Sequence, residues 1–144
     1  MIKNKLFVDK EETINVTLYV GVNKKEDLVA SHKKEEVLEE KDIVTKEEDL
    51  FEVVLKFRRP NYKDDMEIIS DSVTQKLDMS GESVSINPAL VRYSRLNQLL
   101  VDWDLTDDEG KKIKVNIDNI NNLSPSLANA ILNAMDAKVI DKEN

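Results

Sequence analysis

The 144-residue sequence predicts an α+β fold: a small antiparallel N-terminal sheet, then about three amphipathic helices with a short strand between the last two. Three observations carry this. Thr13–Val22 alternates strictly, with Ile14, Val16, Leu18, Val20 and Val22 on one side and polar residues, Tyr19 and Gly21 on the other. A second alternating run, Leu50–Phe57, places Phe51, Val53, Leu55 and Phe57 on one face. The second half then changes to helical spacing, with Asn87-Pro88 and Ser124-Pro125 as helix starts: the side chain caps an orphan N–H, and Pro at the first helical position forfeits no bond. At this length a single domain, 1–144, is expected, with strands at 13–22 and 50–58, a charged excursion at 23–49 and a mostly helical part at 60–138.

In chain order, Leu6-Phe7-Val8 reads as a short strand ahead of the main one. Asn23–Asp49 holds six Lys against ten Asp and Glu, with Val37-Leu38 and Ile43-Val44 as its small apolar islands. A structureless loop of that length is unusual in a compact domain, so part of it is expected to fold, first of all Glu35–Lys41. It reads either as a solvated excursion or as an arm that orders on a partner. Arg58-Arg59-Pro60 ends the second strand, and Pro60 or Asn61 opens a helix. Asp64, Asp65 and Glu67 fall near its positive end, and Tyr62, Met66, Ile69 and Val73, with Leu77 beyond, form its apolar stripe. Asp78–Ile86 reads as a loop.

From Asn87 to Asp104 the spacing predicts one long helix. Ala89, Tyr93, Leu96, Leu100 and Trp103 recur at intervals of 4, 3, 4 and 3. Leu90 and Leu99 widen that stripe, and Arg92 and Arg95 lie off it. Asp107-Asp108-Glu109-Gly110 is a turn. It is not a calcium loop: with Gly110 as the sixth position, the first and twelfth would be Leu105 and Asn116. Ile113, Val115 and Ile117 alternate with polar residues as a short strand, and Asn116 or Asp118 caps a single helical turn. The last helix turns Leu127, Ala128, Ile131, Ala134 and Met135 to one side. Its simplest neighbour is the Tyr93–Trp103 helix of the same chain, with a second subunit as the alternative.

Composition excludes several functions. A net charge of −8 without a basic patch argues against nucleic-acid backbone binding. Cys is absent and His32 is the only His, so a disulfide framework, a Cys zinc site or a His-based triad cannot form within one chain. His32, in a charged tract, reads as a surface residue. Three scattered glycines make no phosphate loop. No run reaches transmembrane length, and the expected product is a soluble intracellular protein. Carboxylates are plentiful, but no pair sits in an apolar setting that would tune it for acid–base work. No catalytic residue, cofactor or metal is expected.

In the second half the order of motifs resembles that of phage tail assembly chaperones and related small tailed-phage proteins. The resembling pieces are LKFRRPNYKDDMEI, LLVDWDL, TDDEGKKIKV and IDNINNLSPSLANAILNAM. The first 49 residues stand outside the resemblance. It implies a non-enzymatic morphogenesis protein that binds tail tube, tape-measure or baseplate subunits, working in the host cytoplasm during assembly. The alternative is a permanent baseplate, neck or tail accessory subunit of the virion. Carried onto this chain, the expected contact face is Tyr93, Leu96, Leu100 and Trp103. Arg58, Arg59, Arg92 and Arg95 are the polar candidates, because Trp, Tyr and Arg dominate interface energetics. Fold stability is the competing role for all eight.

Overall fold

The computed structural model describes residues 6–9, 12–78 and 81–140. Thr13–Val22 (β1) is the central strand of an antiparallel sheet. It pairs on one side with Leu28–Ser31 (β2) and on the other with Phe51–Arg58 (β3), running from Thr13 opposite Arg58 to Val20 opposite Phe51. The fourth strand, Leu100–Trp103 (β6), pairs with the far edge of β3. The order is therefore β2-β1-β3-β6. With five α-helices among the described residues, the architecture is α+β.

The alternation of β1 and β3 sets the inner face of the sheet. Val16, Leu18, Val20, Val53, Leu55 and Phe57 are buried there. They meet Ala130, Ile131, Ala134 and Met135 of Pro125–Met135 (α5) and Val139 of the π-helical turn that follows it. Ser124 caps α5 by accepting from Leu127 N–H. The small alanines let α5 lie close across β2 and β1. The last helix thus packs chiefly on the sheet, and the Tyr93 helix that the stripe suggested meets it at its end, through Arg92 and Arg95. A sheet with one hydrophobic face must cover it, and α5 is the most apolar helix in the chain.

Residues 23–49 belong to the fold. Besides β2 they form Lys34–Leu38 (α1), shorter than the expected turn, and a 3₁₀ turn at Glu47–Asp49. Tyr19 points away from the core, and Lys34 Nζ lies 5.3 Å from its ring centre, so α1 covers the outer side of β1 and β2. Val37, on α1, is fully buried. The return segment then crosses Gly21. Val44 N–H donates to Val22 O at 3.0 Å, and Thr45 Oγ1 accepts from Val22 N–H at 2.9 Å. This order within the isolated chain argues against a free arm waiting for a partner. Exposed ion pairs such as Lys24–Asp42 and Lys34–Glu47 decorate the excursion and contribute little.

Gly21 is required by that crossing. A Cβ there would stand 3.1 Å from Thr45 Cβ and 3.2 Å from both Ile43 Cδ1 and Leu50 Cδ2. A Gly21→Val substitution is expected to destabilise by ~1–3 kcal/mol through overpacking. Urea unfolding followed by far-UV circular dichroism would measure it, and an unchanged midpoint would show that 43–50 does not press on the strand.

Four expectations about secondary structure are corrected. The helix opened by Asn87 and Pro88 ends at Leu99 (α3), and Leu100–Trp103 is strand. The edge of β3 offers unpaired N–H and C=O groups, and pairing with them outweighs one further helical turn. A β-bulge at Lys56/Phe57 lets Leu100 and Trp103, three residues apart, both face the core. Second, Asp78–Ile86 is not a loop: Val73–Asp78 (β4) and Gly81–Ile86 (β5) form a two-stranded hairpin, with positions 79 and 80 outside the described residues. Third, Ile113–Ile117 forms no strand. The Thr106–Lys112 bridge stops just before it, Ile113 N–H donates to Leu105 O at 3.0 Å, and Ile113 O accepts the Trp103 indole N–H at 2.6 Å. Fourth, Leu6 and Phe7 are exposed bends and not a strand. Gly110 supplies the positive φ of +79° at the acidic turn, where Asp107 Oδ1 accepts from Glu109 and Lys111 N–H. Asn116 then caps Ile117–Asn121 (α4).

Candidate protein-binding surface

Tyr62–Ser72 (α2) and α3 run antiparallel, joined by the β4–β5 hairpin. Ser72 O accepts from Asn87 N–H where α2 ends and α3 begins. At the other end, Arg58 fastens three elements. Its guanidinium donates to both Asp64 oxygens, at 2.5 and 2.8 Å, and to Gln98 O at 2.9 Å. Asp64 also accepts from Asn61 N–H while Asn61 Oδ1 accepts from Asp64 N–H, a reciprocal cap at the start of α2. The side chains of Arg58 and Asp64 are 22% and 8% exposed, so the pair is largely withdrawn from water. The hydrogen bonds from Arg58 hold the Asp64 carboxyl below its usual range against the opposing cost of burial, and the same bonds raise Arg58.

This anchor decides which way α2 faces. Asp64, Ile68 and Ser72, at successive intervals of four, are the buried residues of the helix. Asp71 accepts from Ser94 of α3, and Ser72 Oγ donates back to Ile68 O. The apolar stripe therefore points outward. Tyr62 is 80% exposed, Met66 48%, Ile69 44% and Val73 42%. At 3.6 residues per turn Tyr62, Met66 and Ile69 lie within about 60° of one another along about 10 Å of α2, and Val73 follows at the start of β4. Ile86 is the register partner of Val73 across the hairpin, so it projects on the same side, and Val84 follows two residues away; both are exposed. An apolar row left in water makes this face the candidate interaction surface.

The residues expected from the sequence to make the contact lie elsewhere. Leu96, Leu100 and Trp103 are buried in the core and cannot reach a partner. Tyr93 is partly exposed, and its hydroxyl donates to Asn121 Oδ1 at 2.7 Å, bracing α3 to α4. Arg58 is committed to Asp64, and Arg59 pairs with Glu12 at 3.3 Å. Arg92 and Arg95 both approach Asp136, at 3.7 and 3.5 Å, and tie α3 to the end of α5. The Arg95 contact is an ion pair without hydrogen-bond geometry, for Asp136 Oδ1 is buried without a hydrogen bond. Leu96, Leu100 and Trp103 thus serve the core, and the other five each make a contact within the chain. The α2 stripe itself was visible as a period in the sequence, but the period does not say which side faces inward. The signal that did was polar: Asp64, six residues after Arg58, on the same helical row as Ile68 and Ser72.

Other chemistry is sparse. His32 is half-buried, and burial lowers its pKa while Glu36 opposes. Lys112 donates to Asp102 at 2.7 Å and holds its carboxyl low. Among the described residues no group of carboxylates or His is arranged to hold a metal ion, and no helix is long and apolar enough to cross a membrane. The chain matches no protein-family model, no curated protein and no solved structure.

Proposed function

We propose that this chain is a non-enzymatic assembly protein of the tail-assembly-chaperone kind. It would bind phage tail subunits during morphogenesis and cover their apolar surfaces before they polymerise. The observation that carries the binding role is the outward stripe of Tyr62, Met66 and Ile69, continued by Val73 at the start of β4, on a helix whose orientation is fixed by the Arg58–Asp64 pair. An apolar row held outward by buried polar bonds is a costly arrangement unless something covers it. The phage context comes from the resemblance of the second half, whose first quoted piece contains Arg58 and most of α2. A net charge of −8 suits a chain that must present apolar side chains without adhering to its own copies.

The test is mass spectrometry of purified phage particles, paired with a pull-down from cells during assembly. A chaperone is expected to be missing from particles and to recover tail tube or tape-measure subunits. Met66→Asp should abolish that recovery while the protein stays folded. A fixed copy number in particles would replace this reading with that of a permanent tail or baseplate subunit. Absence from both experiments would remove the phage role altogether.

A further inference from the structure

We infer that the occupant of the α2 stripe is an apolar-faced helix of another protein carrying Lys or Arg beside its apolar seam. The inference rests on the binding role proposed above and adds the chemistry of the partner. Two observations select this occupant. The first is spacing. Tyr62, Met66 and Ile69 of α2 are separated by 4 and 3 residues, the alternation with which one helix receives the side chains of another, and Val73 extends the row at the start of β4. A bound strand would present side chains every second residue and would meet the row out of step.

The second is charge. Within Tyr62–Ser72 there is one Lys against four carboxylates. Asp64 is spent on Arg58, and Lys63 is paired with Glu67 at 3.7 Å. Asp65, adjacent in sequence to Met66, is exposed, and the chain as a whole carries −8. A second copy would bring a like-charged helix against this one, whereas a basic-flanked helix would be drawn to it. Ile86 and Val84 lengthen the seat beyond the end of α2, so the partner helix should run past Val73 towards the hairpin.

The experiment uses the full chain and two labelled three-heptad peptides, one with a leucine seam flanked by lysine and its counterpart flanked by glutamate. Fluorescence anisotropy is measured at low and at physiological salt. The lysine peptide is expected to bind at least about tenfold more tightly than the glutamate peptide, with the difference shrinking as salt rises. The double variant Met66→Ser/Ile69→Ser should weaken binding by about tenfold or more, since each buried apolar side chain carries that order of affinity. Phe51→Ser, which removes an exposed apolar side chain of the sheet, should change nothing. Circular dichroism of each variant separates lost binding from lost folding.

Equal binding of both peptides, or binding of the lysine peptide that survives the double variant, overturns the inference, because it then reports attraction to an acidic chain and not a seat on α2. A dimer in sedimentation equilibrium that the double variant dissolves also overturns it, in favour of a second copy. If pull-downs recover tail subunits through a surface insensitive to Met66 and Ile69, the assembly role stands and only this inference falls.

Discussion

Trp103→Ala is expected to lower the free energy of unfolding by about 3–5 kcal/mol, the usual cost of emptying a large aromatic site in a core. Trp103 is 2% exposed and closes the β6 end of the inner sheet face beside Leu55, its register partner. Its indole N–H also donates to Ile113 O, which helps to hold the 104–116 loop against the core beside the packing of Leu105, Ile113 and Val115. A domain of this size has roughly 5–15 kcal/mol in hand, so the variant should lose a large part of its stability. Trp103→Phe refills most of the volume but strands Ile113 O, and should cost less, about 1–3 kcal/mol. Because Trp103 is the only Trp, the comparison needs far-UV circular dichroism in urea and not intrinsic tryptophan fluorescence. An alanine variant within about 1 kcal/mol of the parent would contradict the burial described.

The second large effect is expected at Arg58. Arg58→Ala removes the partner of a nearly buried carboxylate and leaves Gln98 O without its donor. Breaking one side of a buried pair costs about 3–5 kcal/mol, and the 22% exposure of Arg58 places this one near the lower end. Arg58→Lys should not restore it, since an ammonium cannot grip both Asp64 oxygens and Gln98 O in one plane. The double variant Arg58→Ala/Asp64→Ala should be more stable than Arg58→Ala alone, because no buried charge is then left unpaired. The pH dependence follows from the sign of the shift. Asp64 is held below its unfolded value, so its contribution is fully present above the unfolded carboxylate range, near pH 4, and is lost as pH falls through the lower folded pKa. Asp64→Asn should remove that acid-side slope. A parent protein and an Asp64→Asn variant with parallel stability profiles from pH 5 to about pH 2 would refute the assignment.

These two residues also show how the sequence misleads. Trp103 and Arg58 were both contact candidates because their types are enriched at binding hot spots, with fold stability as the competing role. In the fold, Trp103 finds a core and a backbone acceptor, and Arg58 a carboxylate and a helix end. Residue type alone cannot separate these uses, since a buried anchor within a chain and one between chains need the same chemistry. The α2 stripe carries the opposite lesson. Its period was plain, and an apolar period is ordinarily the inward side of a helix.

By itself the sequence determined the local elements whose chemistry is complete within a few residues. The period of β1 and β3 specified two strands and their buried faces, and Asn87-Pro88 and Ser124-Pro125 specified where α3 and α5 begin. A helical turn capped by Asn116 or Asp118, of which the structure uses Asn116, and Gly110 in the acidic turn were equally local. The tertiary structure decided everything that depends on a distant partner. It turned Leu100–Trp103 from helix to strand because β3 had an edge to satisfy. It folded residues 23–49 across Gly21, and it laid α5 on the sheet. It also rolled α2 about its axis, since Arg58 captures Asp64 and so turns Tyr62, Met66 and Ile69 towards water. A hydrophobic period fixes how side chains are grouped, but only the groups that meet them across the fold fix which way they face.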